Sequence, residues 1–422
     1  MIARFWKAVA VADQDMGGAW WGTDRRTLSR VLADQLYAEL RRLRLGTPGG
    51  PPPWSWTDAT RLDELGPAAI DSLDLLSLSA ATAELLPNGG LGPGLMQARC
   101  FGAWCDAVAA SVRHPPRHVT FRSSGSTGTP TRTTHALVHL EEEAKALAAL
   151  IGDGRRRVLS AIPAHHAYGF IHSVLLPRHL SGLPVVELRG HTPSDLATLL
   201  RPGDLVLGHP AFWDAALRGL SGSLPVDAVG VTSSAPCPAE LAVMLRQAGL
   251  ERLLQVYGAS ETAGIGWRDD PAQPYELLSG WRRDGDGLRR GEQPVEAPDL
   301  LSWEQDDRFR VVGRRDGAVQ VGSVNVIPGQ VSIALMRHPA VADIAVRPMR
   351  SEEGCRLKAF VVPAAGAPAS DELRAELHHF ATATLTSAER PGAYSFGPAL
   401  PRTDLGKLTD WSAASYTRRP IH

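Results

Sequence analysis

The stretch that decides the fold is Phe121 to Pro130, which reads FRSSGSTGTP. Glycines let backbone N–H groups approach an anion closely, and clustered Ser and Thr hydroxyls add hydrogen-bond donors. The stretch follows the strand-like run His118 to Phe121 and precedes the helix-like run Leu140 to Leu150. Strand, glycine-rich loop and helix in this order are typical of a phosphate site, although a polar surface loop remains the alternative for this run alone. The predicted phosphate-binding residues are Ser123, Ser124, Gly125, Ser126, Thr127 and Gly128.

This loop differs from the best-known phosphate loop, because it lacks the spacing G-x-x-x-x-G-K-[ST]. Thr131 stands after Pro130, where a lysine would be expected. Either Arg132 supplies the positive charge that Thr131 cannot supply, or no side chain supplies it. We therefore expect pyrophosphate binding to be unusual in this protein.

Composition excludes several classes of function. The 422 residues carry a formal net charge of -1, which gives no electrostatic footprint for nucleic acid or an anionic membrane. No apolar run is long enough to span a membrane, and the amino terminus lacks a secretory pattern. The four cysteines have no zinc-binding spacing. The expected location is cytoplasmic.

The chain divides into three regions by pattern. Residues 1–115 are helical in character, residues 116–315 alternate strands with helices, and residues 316–422 form a small α+β pattern. Alternating strands and helices predict a layered α/β domain with ligands at the carboxyl ends of strands. The strand-like runs of that domain are Arg157–Ile162, Leu183–Leu188, Asp204–Leu207, Asp227–Thr232 and Arg252–Val256.

The amino-terminal region is open to two interpretations. Leu28 to Leu45 is an amphipathic helix, and Asp71 or Ser72 would cap a second one. The Asp71-Ser72-Leu73 sequence resembles an acyl carrier protein, in which such a serine bears phosphopantetheine, but the spacing after Leu65-Gly66 is too long. A plain helical subdomain is the favoured interpretation.

The phosphate loop and five further segments occur in the order that is found in the adenylate-forming ligase superfamily. After the phosphate loop come Ile162–Phe170 (IPAHHAYGF), Thr232–Pro236 (TSSAP) and Val256–Thr262 (VYGASET). Asp299 to Arg314 and Pro401–Lys407 (PRTDLGK) complete the set. Together they resemble the superfamily of acyl- and aryl-CoA ligases over about 70% of the chain, which implies its fold: a large α/β domain and a small mobile carboxy-terminal domain.

The resemblance implies a role for each segment. Lys407 would stabilise charge on the attacking carboxylate, His166 would gate the acid pocket, and Glu261 would hold Mg²⁺. Asp299 and Arg314 would bind the ribose, with Asp306 or Asp307 as the runner-up to Asp299. The implied ATP-binding set also includes Ser234, Ala235, Pro236, Tyr257, Gly258 and Ser260. The implied acid pocket is His166, Tyr168, Gly169 and Ala259, and the implied hinge is Asp316.

The resemblance predicts an AMP-forming acid–thiol ligase that uses ATP and Mg²⁺. The acid is expected to be aromatic, of the 3-hydroxybenzoate type activated in xanthomonadin and aryl polyene pigment biosynthesis. The acceptor thiol is expected on an acyl carrier protein or CoA. Gln320 replaces a frequent lysine, so transfer to a nitrogen nucleophile stays an alternative. Ala297 and Pro298 replace Thr-Gly, which leaves a catalytically silent nucleotide-binding or carrier-docking protein as another.

Overall fold

The computed structural model describes residues 24–43, 50–65, 70–86, 94–111, 116–123, 131–220, 222–225, 227–315, 317–322, 324–350, 352–401 and 408–412. These residues separate into two compact units. The first contains the described residues up to Ser123, Arg132–Ala297 and Trp303–Arg310. The second contains Pro298–Ser302 and the described residues from Val311 onwards. Across the described ranges, no helix is both long and apolar enough to cross a membrane.

Helices near the amino terminus pack on one another in the first unit. They are α1 (Arg25–Leu43), α2 (Ser72–Leu85), α3 (Gly94–Gln97) and α4 (Phe101–Ser111). Helix α1 contacts both α2 and α4. Its buried face repeats every three to four residues, as an amphipathic helix requires. The members of that face are Leu28, Val31, Leu32, Leu36 and Leu40.

Helix α2 begins as the sequence predicts. Asp71 is the N-cap, and its side chain accepts from the backbone N–H groups of Leu73 and Asp74. The side chain of Asp74 in turn accepts from the backbone N–H of Asp71. This reciprocal arrangement satisfies backbone donors that the helix itself leaves unpaired. Ser72 is therefore the first helical residue, and Asp71 is the cap.

The largest sheet has nine strands, which are β3 (Arg157–Ser160), β4 (Val185–Glu187), β5 (Asp204–Gly208), β6 (Val229–Thr232), β7 (Arg252–Ala259), β8 (Ala263–Arg268), β9 (Tyr275–Leu277), β13 (Asp299–Trp303) and β14 (Arg308–Arg314). Their order across the sheet is β13-β14-β9-β8-β7-β6-β5-β3-β4. Strands β4, β3, β5, β6 and β7 are parallel, and β7, β8, β9 and β14 pair antiparallel.

The remaining elements of the first unit flank this sheet. Two hairpin-like sheets are formed by β1 (His118–Ser123) with β2 (Thr131–Ala136), and by β10 (Trp281–Asp284), β11 (Gly287–Arg290) and β12 (Gln293–Val295). The helices are α5 (Leu137–Ile151), α6 (Ala167–Phe170), α7 (Leu176–His179), α8 (Leu196–Leu199), α9 (Pro210–Arg218) and α10 (Ala239–Gln247). Leu159, Val206, Trp213, Leu241 and Leu253 are buried together in one core. Apolar strands buried in this way are expected where helices cover a parallel sheet.

The second unit has its own core around a three-stranded sheet. That sheet consists of β17 (Val341–Pro348), β18 (Leu357–Pro363) and β19 (Ala393–Phe396). Helices α11 (Pro328–Leu335) and α12 (Asp371–Thr384) contribute apolar side chains to this core. Two short antiparallel strands, β15 (Val319–Val321) and β16 (Val324–Val326), also belong to this unit, and Gly322 turns the chain after β15 at φ 64°.

Candidate functional site

The carboxyl ends of the parallel strands gather the predicted site segments of the first unit. Strand β3 leads to Pro163–His166, β6 leads to Ser233–Pro236, and β7 ends in Tyr257–Ala259. Parallel strands place their carboxyl ends at one edge of the sheet, which is where open α/β sheets bind ligands. The topology therefore brings together three of the segments that the sequence singled out.

His166 follows β3 at this edge of the sheet. Its side chain reaches solvent, yet the surrounding protein desolvates it enough to lower the pKa of its imidazole below the usual value. The ring hydrogen-bonds to the backbone of Arg122, and its centroid lies 3.9 Å from that of His165. Burial and the neighbouring His166 lower the pKa of His165 further still. Both imidazoles are consequently neutral near pH 7.

Tyr168 and Gly169 follow the two histidines in the chain and are held by close backbone contacts. The hydroxyl of Tyr168 donates to the carbonyl oxygen of Gly208 at 2.9 Å, with the carbonyl of Val231 at 3.2 Å. That hydroxyl is engaged with the backbone, so Tyr168 presents its ring rather than a donor. A Cβ on Gly169 would lie 1.7 Å from the carbonyl oxygen of Pro163, which makes glycine necessary at this approach.

The turn after β7 holds the residues predicted to meet the nucleotide. The backbone N–H of Ala259 donates to Oγ1 of Thr262 at 3.2 Å, and Glu261 is exposed at the tip. A Cβ on Gly258 would lie 2.2 Å from the carbonyl oxygen of Ala263. The glycine therefore permits the tight pairing of β7 with β8 that presents Ser260 and Glu261.

An aromatic cluster surrounds Tyr257. Its ring centroid lies 5.5 Å from that of Tyr275 and 5.5 Å from that of Phe309. The rings of Tyr275 and Phe309 stack at 5.8 Å, and Trp303 lies 5.5 Å from Phe309. These packed rings fix the orientation of Tyr257, so its face is preorganised for a planar ligand.

Ser234 has an unusual backbone conformation in the turn after β6. Its φ is 75°, a region that non-glycine residues seldom occupy. The neighbouring Pro236 is exposed, whereas Thr232 at the end of β6 is buried. Strained residues of this kind are concentrated at functional sites.

Sequence reasoning missed two residues that brace this edge. Nε2 of the buried His135 lies 2.7 Å from the carbonyl oxygen of Ser260. Arg122 donates from Nη1 to Oε2 of Glu39 at 2.7 Å and from Nε to Oε2 of Glu84 at 2.9 Å. Both residues lie on strands that flank the phosphate loop, but the sequence gives no signal for their long-range partners.

Arg132, named as the substitute for a lysine in the phosphate loop, forms an ion pair with Glu84. Its side chain is still 67% exposed. Glu84 also binds Arg122, so it neutralises the charge of Arg132 only in part. The remaining positive charge of Arg132 is available at the end of the loop.

The ribose pair predicted from the sequence comes together in the second unit. Asp299 begins β13 and Arg314 ends β14, with Oδ1 of Asp299 4.0 Å from Nη1 of Arg314. Asp299 is 9% exposed. The runner-up Asp306 instead points to solvent and lies 3.6 Å from Arg283, and Asp307 is also exposed. The geometry thus favours Asp299.

Several predicted residues lie outside the described residues: Ser124 to Gly128 of the phosphate loop, the hinge Asp316, and Lys407. Their roles stay predictions. Ser123 is described only as the last residue of β1.

Glu261 suits the cation predicted for this site. Among the described residues there is no group of three or more His, Cys, Asp or Glu side chains that could hold a metal ion. Mg²⁺ does not need one, because it keeps several waters and binds one or two carboxylates together with substrate phosphates. The exposed carboxylate of Glu261, in a turn predicted to bind the nucleotide, fits that requirement.

Comparison with known proteins agrees with this geometry. Residues 119–281 match the AMP-binding enzyme family, and residues 331–407 match the AMP-binding enzyme C-terminal domain. The chain belongs to the AMP-binding enzyme family. The predicted superfamily and fold class are therefore confirmed, as is the prediction of an AMP-forming acid–thiol ligase.

Full-length relatives support the same assignment. The chain is 36% identical over 92% of its length to a 4-coumarate–CoA ligase of Cereibacter sphaeroides, covering 97% of that protein. It is 37% identical over 90% of its length to a 4-coumarate–CoA ligase of Rhodobacter capsulatus, covering 99% of that protein. An amide bond synthetase from Marinactinospora thermotolerans shares the fold, at 17% identity with a TM-score of 0.55, covering 89% of this chain and 92% of that one.

Proposed function

We propose that this AMP-binding enzyme activates an aromatic carboxylic acid with ATP and passes the acyl group to the thiol of CoA. The observation that carries the proposal is that the segments of His166, Ser234 and Glu261 follow the carboxyl ends of strands β3, β6 and β7 at one edge of the sheet. Two relatives that are similar over nearly the whole chain are 4-coumarate–CoA ligases, which supports an aromatic acid and CoA.

The reaction has two steps. A carboxylate oxygen of the acid attacks the α-phosphorus of ATP, and the bond to the pyrophosphate oxygen breaks. The sulfur of CoA then attacks the acyl carbon, its proton leaves to solvent, and AMP departs. Positioning and electrostatic stabilisation supply most of the catalysis in such a sequence, so no nucleophilic side chain is required.

The described residues have proposed roles in the first step. Tyr257 offers a fixed aromatic face to adenine, Ser260 donates to the α-phosphate, and Glu261 holds Mg²⁺. The pair of Asp299 and Arg314 binds the ribose, since a carboxylate accepts from both hydroxyls of a diol. Neutral His166 contacts the acid without adding a cation that would trap the carboxylate. Lys407, by resemblance, stabilises the charge that grows at the reacting oxygens.

The test is an acid panel with full-length protein, ATP, Mg²⁺ and CoA, in which AMP and thioester are quantified by mass spectrometry. We expect 4-coumarate, cinnamate or 3-hydroxybenzoate to give both products, with kcat/KM about tenfold above that for octanoate. Absence of AMP with every acid would refute the proposal. A phosphopantetheinylated carrier protein serves as the second acceptor, and loading of the carrier alone would favour the hydroxybenzoate and carrier prediction.

A nitrogen nucleophile is distinguished in the same assay. Replacing CoA with hydroxylamine or a primary amine tests whether the acyl group is released to nitrogen. Thioester formation that is much faster than amide formation is expected, and the reverse would favour the alternative.

A further inference from the structure

Asp34 on helix α1 has a buried carboxylate that contacts the segment of His166, the residue expected to gate the acid pocket. Asp34 is 2% exposed, and its Oδ2 accepts the backbone N–H of Ala164 at 2.7 Å. Arg189 binds both oxygens of the same carboxylate, with Nη1 2.7 Å from Oδ1 and Nη2 3.1 Å from Oδ2. Ala164 directly precedes His165 and His166. The carboxylate therefore holds the peptide from which both histidines project.

The same helix also reaches the other side of His166. Glu39, five positions after Asp34, accepts from Nη1 of Arg122 at 2.7 Å. The ring of His166 hydrogen-bonds to the backbone of Arg122. One carboxylate of α1 thus holds the segment to which His166 belongs, and another holds the residue to whose backbone its ring bonds.

Further contacts fix α1 itself against these segments. Arg30 donates from Nη2 to Oγ of Ser173 at 2.8 Å and from Nη1 to the carbonyl oxygen of Ser173 at 3.1 Å. Arg189 also binds Glu187 through Nε at 2.7 Å and Nη2 at 2.6 Å, and its guanidinium lies 5.2 Å from the ring centroid of Trp54. Arg189 is thereby held rigidly at the carboxyl end of β4.

Stability alone is a weak explanation for such a network. Burying an ion pair costs desolvation that often cancels its attraction, so apolar side chains would stabilise the contact equally well. A carboxylate differs in one respect, because it fixes a specific backbone N–H at a specific place. That property matters where the next residues must be oriented for a ligand.

We propose that Asp34 is a positioning residue for the acid-binding step, acting through Ala164 to hold His166 in its binding orientation. The inference rests on the proposed function of His166. It makes the amino-terminal helical region part of the acid site, a role that its sequence does not reveal.

The structure supplies a matched control in Asp204. This aspartate is also fully buried, and its two oxygens accept from Nε and Nη2 of Arg157, each at 2.8 Å. Its Oδ2 also accepts a backbone N–H, from Arg201 at 2.7 Å. Asp204 begins β5, so it lies at the edge of the sheet opposite to the site. Both aspartates therefore bind an arginine through two oxygens and accept one backbone N–H, but Asp204 does so away from the site.

The test compares Asp34→Asn with Asp204→Asn in the full-length protein. Acid-dependent pyrophosphate exchange with 4-coumarate gives the KM for the acid and for ATP. For Asp34→Asn we expect the acid KM to rise about tenfold while the ATP KM changes by less than about twofold. For Asp204→Asn both KM values should stay within about twofold of the wild-type values, even if its melting temperature falls as far as that of Asp34→Asn.

Hydrogen exchange gives a readout that does not need activity. The peptide containing Ala164 to His166 should lose about tenfold of its amide protection in Asp34→Asn and none in Asp204→Asn. If Asp34→Asn does not fold, Arg189→Lys keeps a cation but loses the paired geometry, and about a threefold rise in acid KM is expected.

Equal effects of Asp34→Asn and Asp204→Asn on the acid KM would overturn the inference, as would unchanged protection of Ala164. Loss of protection without a change in the acid KM would also overturn it. If the wild type activates no acid, the proposed function fails, and the inference fails with it. The difference in hydrogen exchange between the two variants then reports only a structural contact.

Discussion

Replacing Glu143 with glutamine should change how the stability of the protein depends on pH. Glu143 lies on α5 and is 2% exposed, and its Oε2 accepts the backbone N–H of Gly264 at 2.9 Å. Burial raises the pKa of this carboxyl from 4.5 to about 7, opposed by the bond from Gly264 and by the charge of Arg290. Arg290 is itself buried and lies 3.8 Å from Glu142.

The sign follows from proton linkage. Between pH 4.5 and about 7 the folded state binds this proton more tightly than the unfolded state. The free energy of unfolding therefore falls as pH rises through that window. A shift from 4.5 to about 7, at about 1.4 kcal/mol per unit, amounts to about 3 kcal/mol, of which about 2 to 3 kcal/mol is lost between about pH 5 and pH 8.

Glutamine keeps a carbonyl oxygen for Gly264 but cannot ionise. Urea unfolding of wild type and Glu143→Gln, followed by tryptophan fluorescence at about pH 5 and pH 8, isolates the effect, since costs independent of pH cancel in the difference. We expect Glu143→Gln to gain about 2 to 3 kcal/mol relative to wild type between the two pH values.

The matched control is Glu142→Gln, one position earlier on the same helix, where the carboxylate is 51% exposed. Its pH dependence should follow that of wild type to within about half a kcal/mol. An identical pH dependence of Glu143→Gln and wild type would refute the reasoning that burial controls this carboxyl.

Three further predictions concern the close approach at Gly258, the buried ion pair of Lys358 and the modification state of Ser72. Gly258→Ala should reduce pyrophosphate exchange by about a hundredfold, because the added Cβ would lie 2.2 Å from the carbonyl oxygen of Ala263. Gly287→Ala is the control and should retain pyrophosphate exchange, since the nearest contact of its Cβ is at 3.5 Å. Lys358→Met should destabilise the second unit by about 2 to 3 kcal/mol in urea unfolding, since it removes the buried ammonium that binds Glu353 at 2.7 Å and Asp410 at 3.0 Å; an unchanged midpoint would contradict this. Mass spectrometry should find Ser72 unmodified, as the interpretation of a plain helical subdomain expects. A pantetheine adduct on Ser72 would instead favour the carrier-protein interpretation.

Local patterns allowed much of the fold to be predicted from the sequence. The apolar runs at Arg157, Asp204 and Arg252 each begin an observed strand, because a buried parallel strand needs consecutive apolar residues. Asp71 was one of two expected caps and is the one observed, since the capping pattern spans only a few residues. The resemblance named both Asp299 and Arg314 for the ribose, and the structure brings their side chains to within 4.0 Å.

The contacts that hold the site together could not be predicted in this way. Asp34 meets Ala164 across 130 positions, and His135 meets Ser260 across 125. A lone aspartate in an amphipathic helix is typical of a solvated face, and nothing in its neighbours marks it as buried. Such partners depend on how separate elements pack, which local sequence does not encode.

The most direct test of the account is acid-dependent exchange of pyrophosphate into ATP, measured for wild type and for Lys407→Ala. The account predicts exchange by wild type with at least one aromatic acid. In Lys407→Ala it predicts a loss of about a hundredfold or more with ATP binding retained to within about threefold. Unchanged exchange in Lys407→Ala would remove that lysine from the mechanism. Absence of exchange in wild type with every aromatic and alkyl acid would contradict the central claim that this protein activates a carboxylic acid as its adenylate.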